Sequence, residues 1–508
     1  MTQHNTNSKR IAKNTFFLYI RMLLIMLVTL YISRVVLATL GVDDYGIYNV
    51  VGGVVVLFTF LNTSMVNATQ RFLNFEMGKS DDGETIREVF SMSINCHLLI
   101  VALILVLGET VGLWLVNSFL NIPGDRLFAA NWVYQFSLLT TCFNVISAPY
   151  NAAIIACERM SIYAYIGVVE VFLKLSAALS IVLISRDKLI AYGALLSIVA
   201  FLICSFYIIY CIKKIKFCHY KKMWDSSMFK RIITFSGWSL FGGISNIGEV
   251  QGINIIVNKF FGVAVNAAMG VANQITSALT MFVNNFATAF NPQIIKTYSA
   301  GEMDNFYKLL HTTSRFCYLL FFTICLPVFF YCDVILQIWL KEVPDNTTLF
   351  CRLVILVSLV DSINTPIWTA VRAHGNIKKY QIVTSFLRLS ALPICVLGFK
   401  CGLSPEFAII TNLGLNVVIQ SWAIYHVEKL VGLDVQRHIK ETILPCLVVT
   451  IVSLPIPILL RNIYHGFYAN VLSFLIVGII TLFFVIAVGI KKSERNMAIS
   501  FIRSKLFK

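Results

Sequence analysis

The hexapeptide FLKLSA at residues 172–177 recurs as FLRLSA at residues 386–391. Upstream of each copy, PYNAAIIACERMSIYAY from Pro149 parallels PIWTAVRAHGNIKKYQI from Pro366, so the offset is 217 residues at the prolines and 214 at the hexapeptides. The matches run in the same direction, which indicates a parallel internal repeat. Parallel repeats related by an axis along the membrane normal build transporters with a cavity between two lobes.

Long apolar runs surround both copies of the repeat. Of the 508 residues, 58% are hydrophobic and 13% are charged, and the mean hydropathy is +0.78, which excludes a soluble globular protein. About 20 apolar residues carry a helix across a bilayer, and a helix satisfies its own backbone hydrogen bonds in lipid. Fourteen transmembrane helices are therefore predicted, at about 14–33, 46–66, 89–116, 128–150, 162–184, 189–212, 232–257, 263–290, 313–333, 348–371, 380–399, 403–425, 443–460 and 467–490.

The basic residues alternate between the two sides of the membrane. The net charge is +16, from 41 Lys and Arg against 25 Asp and Glu. When the connections are numbered from the N-terminus, 28 basic residues fall in the termini and even-numbered connections, eight in the odd-numbered ones and five within spans. Two of those five, Arg315 and Arg352, lie close to span ends and are expected at the membrane interface. Because cytoplasmic connections carry an excess of Lys and Arg, the charge pattern indicates a multi-pass membrane protein with both termini in the cytoplasm, and no nucleic-acid partner.

The repeat and the spans together predict the organisation of the chain. An all-α polytopic membrane protein of about fourteen transmembrane helices is expected, built as two parallel six-helix bundles plus two C-terminal helices. A weaker echo, of LGVDDYGIY at 40–48 in FGVAVNAAM at 261–269, pairs the first span with the seventh. The predicted parts are an N-terminal bundle at 1–212, a basic cytoplasmic linker at 213–231, a C-terminal bundle at 232–427, two additional helices at 443–490 and a basic cytoplasmic tail at 491–508.

Four cations are candidates for a substrate-binding cavity: Arg21, Arg34, Lys174 and Arg388. Charged groups at membrane depth are costly and usually functional. Arg388 stands in the second repeat where Lys174 stands in the first, so one cation from each bundle would give a positive cavity that binds an anion such as phosphate or pyrophosphate. Two plainer interpretations stay open. Glu170 and Lys174, four residues apart, could neutralise each other on one helix face, and Arg34 could reach lipid headgroups.

Acidic and amide side chains form a second group of candidates. The seventh predicted span, SGWSLFGGISNIGEVQGINIIVNK from Ser236, is the most polar of all. Its predicted cavity-lining amides are Asn246, Asn254 and Asn258. The carboxylates predicted to serve in gating, or in coupling to sodium ions or protons, are Glu170, Glu249 and Asp361. In the alternative interpretation these polar groups only hold helices together by hydrogen bonds.

Enzyme motifs are absent from the sequence. Gly78-Lys79-Ser80 resembles the end of a P-loop, but Leu73 stands where that motif requires glycine. The eight histidines lack metal-ligand spacing, and no GxSxG nucleophile motif occurs. No catalytic residue, metal site or cofactor is therefore predicted, and most of the thirteen cysteines are expected to be buried packing residues.

Four segments resemble a known family of transporters. They are RVVLATLGVDDYGIYNVV at 34–51, FNPQIIKTYSAGEMD at 290–304, DVILQIWL at 333–340 and AHGNIKKYQIV at 373–383. They are similar to segments of Wzx-type polysaccharide flippases of the multidrug/oligosaccharidyl-lipid/polysaccharide (MOP) exporter superfamily, and the resemblance covers nearly the whole chain.

This resemblance implies both a mechanism and a substrate. Two six-helix bundles would enclose a cavity that opens alternately to the two sides of the membrane. The substrate would be an oligosaccharide linked to undecaprenyl pyrophosphate, and the protein would lie in the bacterial cytoplasmic (inner) membrane. There it would move the substrate from the cytoplasmic to the periplasmic leaflet for O-antigen (lipopolysaccharide) or capsule biosynthesis. Membrane lipids and polysaccharide polymerase machinery would be further partners. Relatives bind the pyrophosphate and sugar head with cationic cavity residues, a part that Arg21, Arg34, Lys174 and Arg388 would play here.

Two other classes of protein fit parts of the sequence. A polytopic glycosyltransferase or glycan polymerase would use Asp43 and Asp44 as catalytic acids. Such enzymes usually have a sizeable outer loop, whereas every outer connection here is under about 15 residues, so Asp43-Asp44-Tyr45-Gly46 is interpreted as a turn and helix start. A drug or cation antiporter of the same superfamily would have a cavity dominated by acids, but four of the candidate cavity and coupling residues here are cations and three are acids.

Overall fold

The computed structural model describes residues 59–79, 83–119, 122–185, 187–339, 345–463 and 466–491, together with parts of 18–52 and residues 343, 494 and 495. These residues form helices joined by short turns, and no strand occurs among them. The chain is therefore an all-α polytopic membrane protein, as the apolar runs predict.

Helices are numbered α1 to α14 along the described part of the chain. The first seven are α1 (Ile20–Gly41), α2 (Thr59–Lys79), α3 (Gly83–Leu107, prolonged by π-helical turns at Gly108–Gly112 and Leu115–Phe119), α4 (Leu127–Ala156), α5 (Met160–Ser180), α6 (Lys188–Lys214) and α7 (Ser226–Ser299). The others are α8 (Met303–Phe330), α9 (Cys332–Trp339), α10 (Thr347–His374), α11 (Lys378–Lys400), α12 (Phe407–Val431), α13 (Val435–Ile463) and α14 (Phe467–Phe484, prolonged by a π-helical turn at Val485–Gly489).

Eleven of the described helices are long and apolar enough to cross a bilayer. The other three are the more polar α2 and α7 and the short α9. Helix α7 bends at Gly262, whose φ of 82° lies outside the helical region. Residues 226–261 and 263–299 therefore form two arms, at the places where the seventh and eighth spans are predicted.

Several helices extend beyond the predicted spans. The first span is predicted to end at residue 33, but α1 continues to Gly41, while residues 14–17 lie outside the described part. Arg71, assigned to a cytoplasmic connection by the charge pattern, lies within α2 and is buried. Its guanidinium lies over the rings of Phe72, Phe75 and Phe235. Contact with aromatic rings offsets the free energy that a cation loses when it is removed from water. The charge pattern along the sequence gives no information about such contacts.

The chain divides into two compact units. The first lies within residues 12–240, and the second lies within residues 241–508. The boundary falls within the first arm of α7. The division into bundles at 1–212 and 232–427 remains a prediction.

The basic segment predicted as a linker packs against α3 of the first unit. The backbone amide of Lys221 donates to the Ser91 hydroxyl at 3.0 Å, and its ammonium group lies 2.7 Å from Glu84 and 3.1 Å from Glu88. The Asn95 side chain donates to a backbone carbonyl of the same segment at 2.8 Å. This part of the segment therefore belongs to the folded first unit.

Each unit has its own apolar core. In the first unit, Val133 and Tyr134 of α4 are the centre of a cluster with α3 and α6. In the second unit, α7, α9, α10, α11 and α12 meet around Val257 and Phe350. All cysteines except Cys157 and Cys401 are buried, in agreement with a packing role.

Backbone conformation repeats at positions that the internal repeat pairs. Gly41 and Gly262, matched by the weaker echo, have φ of 79° and 82°, values that favour glycine. Glu158 and Gly375, matched by the proline segments, have φ of 57° and 93° and follow α4 and α10 respectively. The two units therefore share their turn geometry at both places, which supports the parallel repeat.

At one helix contact in each unit, a large side chain packs beside a glycine, and the two units place the large side chain on opposite helices. In the first unit, Arg21 of α1 fills the space beside Gly167 of α5, where a Cβ atom would overlap the guanidinium. In the second unit, the offset of the weaker echo pairs Arg21 with Gly242 in α7, and the offset of the hexapeptides pairs Gly167 with Gln381 in α11. There the glutamine fills the space beside the glycine. The same helix contact is thus made with the large side chain on opposite partners.

Candidate functional site

Arg21 lies against α5 without an acidic partner. Its guanidinium carbon is 4.2 Å from the centre of the Tyr163 ring, and its Nε packs over Gly167. Among the described residues this Nε atom has no hydrogen-bond partner and Arg21 forms no ion pair. Tyr163 and Gly167 fall within the first two turns of α5, so the guanidinium lies within about 10 Å of that helix end at 1.5 Å per residue.

Glu170 and Lys174 continue the same region of α5. Their side chains form an ion pair of 2.6 Å and are 33% and 44% exposed, so the mutual neutralisation considered from the sequence does occur. Tyr207 of α6 is within electrostatic range of Arg21, Tyr163 and Glu170. We call Arg21, Tyr163, Glu170, Lys174 and Tyr207 the first-unit cluster. It holds two cations against one carboxylate and is net positive.

Arg34 does not join the first-unit cluster. It is exposed and lies thirteen residues after Arg21 on α1, a distance of about 20 Å along the helix. It makes no ion pair with any residue that the structure describes. Its position agrees with the plainer interpretation, in which a long cationic side chain reaches the headgroup region.

Two acidic residues and one basic residue lie close together near the middle of helices in the second unit. The Arg388 guanidinium lies 3.2 Å from the Glu249 carboxylate, which is only 2% exposed. Asp361 is within electrostatic range of both groups. Arg388 and Asp361 are each near the midpoint of their helix, α11 and α10. We call these three residues the second-unit triad, and its two carboxylates exceed its one cation by one charge.

Glycines bring α7 close enough to α11 to form the triad. A Cβ atom on Gly242 would overlap Gln381, and one on Gly252 would overlap Leu392. Glu249 lies between these two contacts, so its short side chain can reach Arg388. Small residues commonly allow helices to approach closely in membranes.

The predicted cavity-lining amides are not gathered on one buried face. Asn246 and Asn258 are exposed, whereas Glu249 is turned into the unit. Asn254 accepts a long hydrogen bond of 3.4 Å from Asn273 in the second arm of α7. Their role as cavity-lining groups remains a prediction.

Sequence reasoning missed the aromatic residues of both sites. Tyr163 holds the Arg21 guanidinium in the first unit, and Tyr380 lies within electrostatic range of Arg388 and Asp361 in the second. Their signal in the sequence is weak, because a single tyrosine near a helix end usually marks the membrane interface.

Arg315, which lies near a predicted span end, is buried within the protein. It is 1% exposed, and its guanidinium donates to both carboxylate oxygens of Glu494 at 2.6 Å and to the Glu441 carbonyl at 3.0 Å. A bidentate pair of this kind compensates for the lost hydration. Its partner stands 179 positions away in the chain, beyond the reach of local patterns. Arg352 donates to the Phe329 carbonyl at 3.1 Å.

Asp44, a candidate catalytic acid in the enzyme alternative, belongs to an ion-pair network. Arg126 donates to both of its carboxylate oxygens, at 2.8 and 2.6 Å, and to Asp187 at 2.6 Å. Asp187 also caps α6 by accepting from the amides of Leu189 and Ile190 at 3.1 Å. Asp43 lies outside the described residues. This geometry gives Asp44 a structural role, because its oxygens are occupied by a permanent cation.

Asp44→Asn is expected to weaken the fold slightly and to leave function intact. The three side chains of the network are about a quarter exposed, so the loss is about 1 kcal/mol, seen as a fall of a few degrees in apparent unfolding temperature. Burial raises the pKa of Asp187, but hydrogen bonds from Arg126 and the α6 amides lower it further, to below its usual value. The network therefore stabilises the protein at pH values above about 4. This stabilisation is lost as the pH falls through the lowered pKa that Asp187 has in the folded state. Thermal unfolding of the detergent-solubilised variant at several pH values checks this, and loss of all activity in Asp44→Asn would instead favour the enzyme alternative.

Gly167→Ala is expected to displace Arg21 and to reduce anion binding several-fold. The added Cβ would overlap the guanidinium, which would have to leave the face of Tyr163. Gly237→Ala, in the same unit and with no atom within 4 Å of its added Cβ, is the matched control. Titration of both variants with pyrophosphate, followed by isothermal calorimetry, measures the effect. Equal affinities would contradict the assigned position of Arg21.

Comparisons with known proteins agree on the fold. Residues 251–397 match the MatE family model. The sequence has no match among curated proteins. Among solved structures, an outward-facing multidrug resistance MATE family transporter of the MOP superfamily is 12% identical, with 83% of this chain and 96% of that chain covered and a TM-score of 0.71.

Two further structures extend this likeness. The bent form of the Vibrio cholerae MATE transporter VcmN is 16% identical, with 86% of this chain and 100% of that chain covered and a TM-score of 0.68. A MOP superfamily transporter from Pyrococcus furiosus, whose binding pocket is described as reversed in polarity, is 14% identical, with 83% and 96% covered and a TM-score of 0.66. The chain therefore has the fold of MATE transporters.

Proposed function

We propose that this chain is a non-enzymatic MOP superfamily flippase, which moves undecaprenyl-pyrophosphate-linked oligosaccharide from the cytoplasmic to the periplasmic leaflet of the inner membrane. The observation that carries the proposal is Arg21, a guanidinium held on the Tyr163 ring with no acidic partner among the described residues. An unpaired guanidinium offers parallel donors to a pyrophosphate. The substrate serves O-antigen or capsule biosynthesis, and the polymerase that extends the glycan is the expected downstream partner.

Hydration of the substrate explains why a protein is needed. A glycan with a pyrophosphate is anionic and strongly solvated, so it cannot cross hydrocarbon unaided. The MATE fold and the parallel repeat support alternating access, in which a cavity opens first to one side and then to the other. In this scheme the first-unit cluster attracts the pyrophosphate and the polyprenyl tail stays in lipid.

The second-unit triad is proposed to couple transport to a cation gradient. Glu249 and Asp361 exceed Arg388 by one negative charge, so one proton or sodium ion would neutralise the triad. Loss of that cation would leave a second negative carboxylate that attracts Arg388. Such a change of charge can shift the equilibrium between two conformations of the protein. Glu170 belongs to the first-unit cluster and is proposed to modulate Lys174.

A drug or cation antiporter is the second candidate, and the two carboxylates of the triad favour it. The pocket described as reversed in polarity in the Pyrococcus furiosus protein supports the view that this fold alone does not determine the charge of the cargo. Here the triad already contains Arg388 as a tethered cation, and the first-unit cluster is net positive. The net positive first-unit cluster favours an anionic cargo.

Reconstitution into liposomes tests the proposal. The protein is expected to accelerate transfer of undecaprenyl-pyrophosphate-linked N-acetylglucosamine between leaflets, measured as access of a soluble lectin to the outer leaflet. Protein-free liposomes are the control. A protein that leaves this lipid in place but exchanges ethidium for protons would be an antiporter, and the flippase proposal would be wrong.

A further inference from the structure

A cavity of about 630 Å³ lies in the second unit, between the first turns of α13 and the end of α14. Arg315 of α8 also lines it. The charged side chains of the lining are Arg315, Asp434, Arg437, Lys440, Glu441 and Lys491. We call this space the basic cavity. Neither the predicted sites nor the proposed transport cycle uses it.

Ion pairs hold α8, α13 and the segment after α14 together around the basic cavity. Arg315, which is 1% exposed, lies 2.6 Å from the Glu494 carboxylate and donates to the Glu441 carbonyl at 3.0 Å. The two carboxylate oxygens of Glu441 accept separately, one from Lys491 at 2.7 Å and the other from Arg437 at 3.0 Å. The cavity therefore lies among side chains that fix one another in position, and it belongs to the fold of the second unit.

Positive charge exceeds negative charge around the basic cavity. Four cations and two carboxylates line it, and the cations remain in excess by one when Glu494 is included. Lys440 is exposed and makes no ion pair with any residue that the structure describes. Arg437 and Lys491 are each about half exposed and share one carboxylate, so each keeps further N–H donors for a ligand. The cavity therefore attracts an anion.

Apolar surface adjoins these cations. Pro445, Val488 and Ile490 also line the basic cavity. Next to Pro445, exposed apolar side chains follow one face of α13 at a spacing of three and four residues: Leu444, Leu447, Val448 and Ile451. A free phosphate ion would contact only the cations, whereas a lipid with a negative headgroup would contact the cations and also cover apolar surface. The surroundings of the cavity therefore match an anionic lipid better than a free ion.

We infer that the basic cavity binds the phosphodiester headgroup of an anionic phospholipid, with acyl chains along the exposed apolar face of α13. Basic pockets between membrane helices are suited to such headgroups. A zwitterionic headgroup suits the cavity less, because the surplus positive charge repels its ammonium group. The charge pattern of the sequence predicts that this end of α13 faces the cytoplasm, which places the lipid in the cytoplasmic leaflet. The bound lipid is distinct from the cargo, so this inference does not depend on the proposed function.

Titration of the full-length protein in neutral detergent tests the basic cavity. The probes are dioleoyl phosphatidylglycerol, dioleoyl phosphatidylethanolamine and inorganic phosphate, and binding is followed by microscale thermophoresis at constant detergent concentration. The wild-type protein is expected to bind phosphatidylglycerol about tenfold more tightly than phosphatidylethanolamine. It should bind inorganic phosphate about tenfold or more weakly than phosphatidylglycerol, because phosphate covers no apolar surface.

Two substitutions in the lining separate the headgroup contact from the rest of the protein. Lys440→Gln is expected to weaken phosphatidylglycerol binding about fivefold, because it removes one surface cation, and Lys440→Arg should retain the preference. Lys440→Gln combined with Arg437→Gln should bring the ratio of the two lipid affinities to about one. Both variants should fold normally, because Lys440 makes no ion pair with the described residues and Glu441 keeps Lys491 as its partner. Their unfolding temperatures check this.

The matched control is Lys379→Gln, which removes an exposed cation at the start of α11 in the same unit, outside the cavity lining. It is expected to leave the ratio unchanged. Equal affinity of the wild type for the two lipids, or a preference that survives the double variant, would overturn the inference. Equal losses in Lys379→Gln and Lys440→Gln would do the same, since they would indicate a general effect of surface charge. Phosphate binding as tight as that of phosphatidylglycerol would make the cavity a site for the free ion and would also overturn it.

Discussion

Replacing Arg21 by glutamine is expected to slow flipping of lipid-linked glycan strongly while leaving the amount of folded protein unchanged. Removing one charge-assisted hydrogen-bonding group from an anion costs about 1.5–3 kcal/mol, which corresponds to a fall in rate of about 10- to 100-fold. Stability should survive, because Arg21 forms no ion pair with the described residues and its removal strands no carboxylate. Initial flipping rates in liposomes, divided by the amount of protein recovered, give the measurement.

Arg34→Gln is the matched control, because it removes the same charge from the same helix at an exposed site. It is expected to retain at least half of the wild-type rate. Arg21→Lys keeps the charge but loses the planar fork and should recover only part of the activity. A wild-type rate in Arg21→Gln would show that Arg21 is not the anion ligand.

Arg388→Met is expected to lower protein abundance as well as activity. Its partner Glu249 is 2% exposed, so removing the arginine leaves a buried carboxylate without its countercharge. Breaking such a pair costs about 3–5 kcal/mol, enough to deplete a protein of ordinary stability in the membrane. Quantitative blotting of the membrane fraction and thermal unfolding in detergent measure this loss.

The double variant Arg388→Met with Glu249→Gln separates stability from function. Neutralising the stranded carboxylate should restore much of the abundance, whereas transport should stay low because the triad has lost its cation. Glu170→Gln, which removes the half-exposed partner of Lys174, controls for loss of an acid elsewhere and should cost under about 1 kcal/mol. Normal abundance in Arg388→Met alone would contradict the contact with Glu249.

The fold could be predicted from hydropathy and the repeat, because lipid allows little besides apolar helices for a chain this hydrophobic. The ends of the helices could be predicted less accurately than their type. The first span is predicted to end at about residue 33, whereas α1 continues past Arg34 to Gly41, because a charged residue near a bilayer surface does not end a helix. The kink at Gly262 could be related to the sequence, because the weaker echo pairs Gly262 with Gly41 and both glycines have a positive φ.

Candidate charges were easier to find than their partners. Glu249, Asp361 and Arg388 were each identifiable as ionisable groups at membrane depth, but Glu249 and Arg388 lie 139 positions apart in the chain. Their contact depends on the glycine-mediated approach of α7 to α11. The partner of Arg315 could not be found for the same reason, because Glu494 comes from the C-terminal segment. The hydrophobic periodicity of a sequence shows which face of a helix is polar, but it does not show which residues that face contacts.

The exchanged contact of Arg21 with Gly167 and of Gly242 with Gln381 bears on how such proteins diversify. A chain assembled from two copies of the first unit would carry two guanidinium groups at this position, and one assembled from two copies of the second would carry two amides. In the proposed function, the preference for an anionic cargo would then come from divergence of the two copies of a duplicated unit. A new cargo could be acquired by moving one bulky side chain across one helix pair, with every loop and every span left in place.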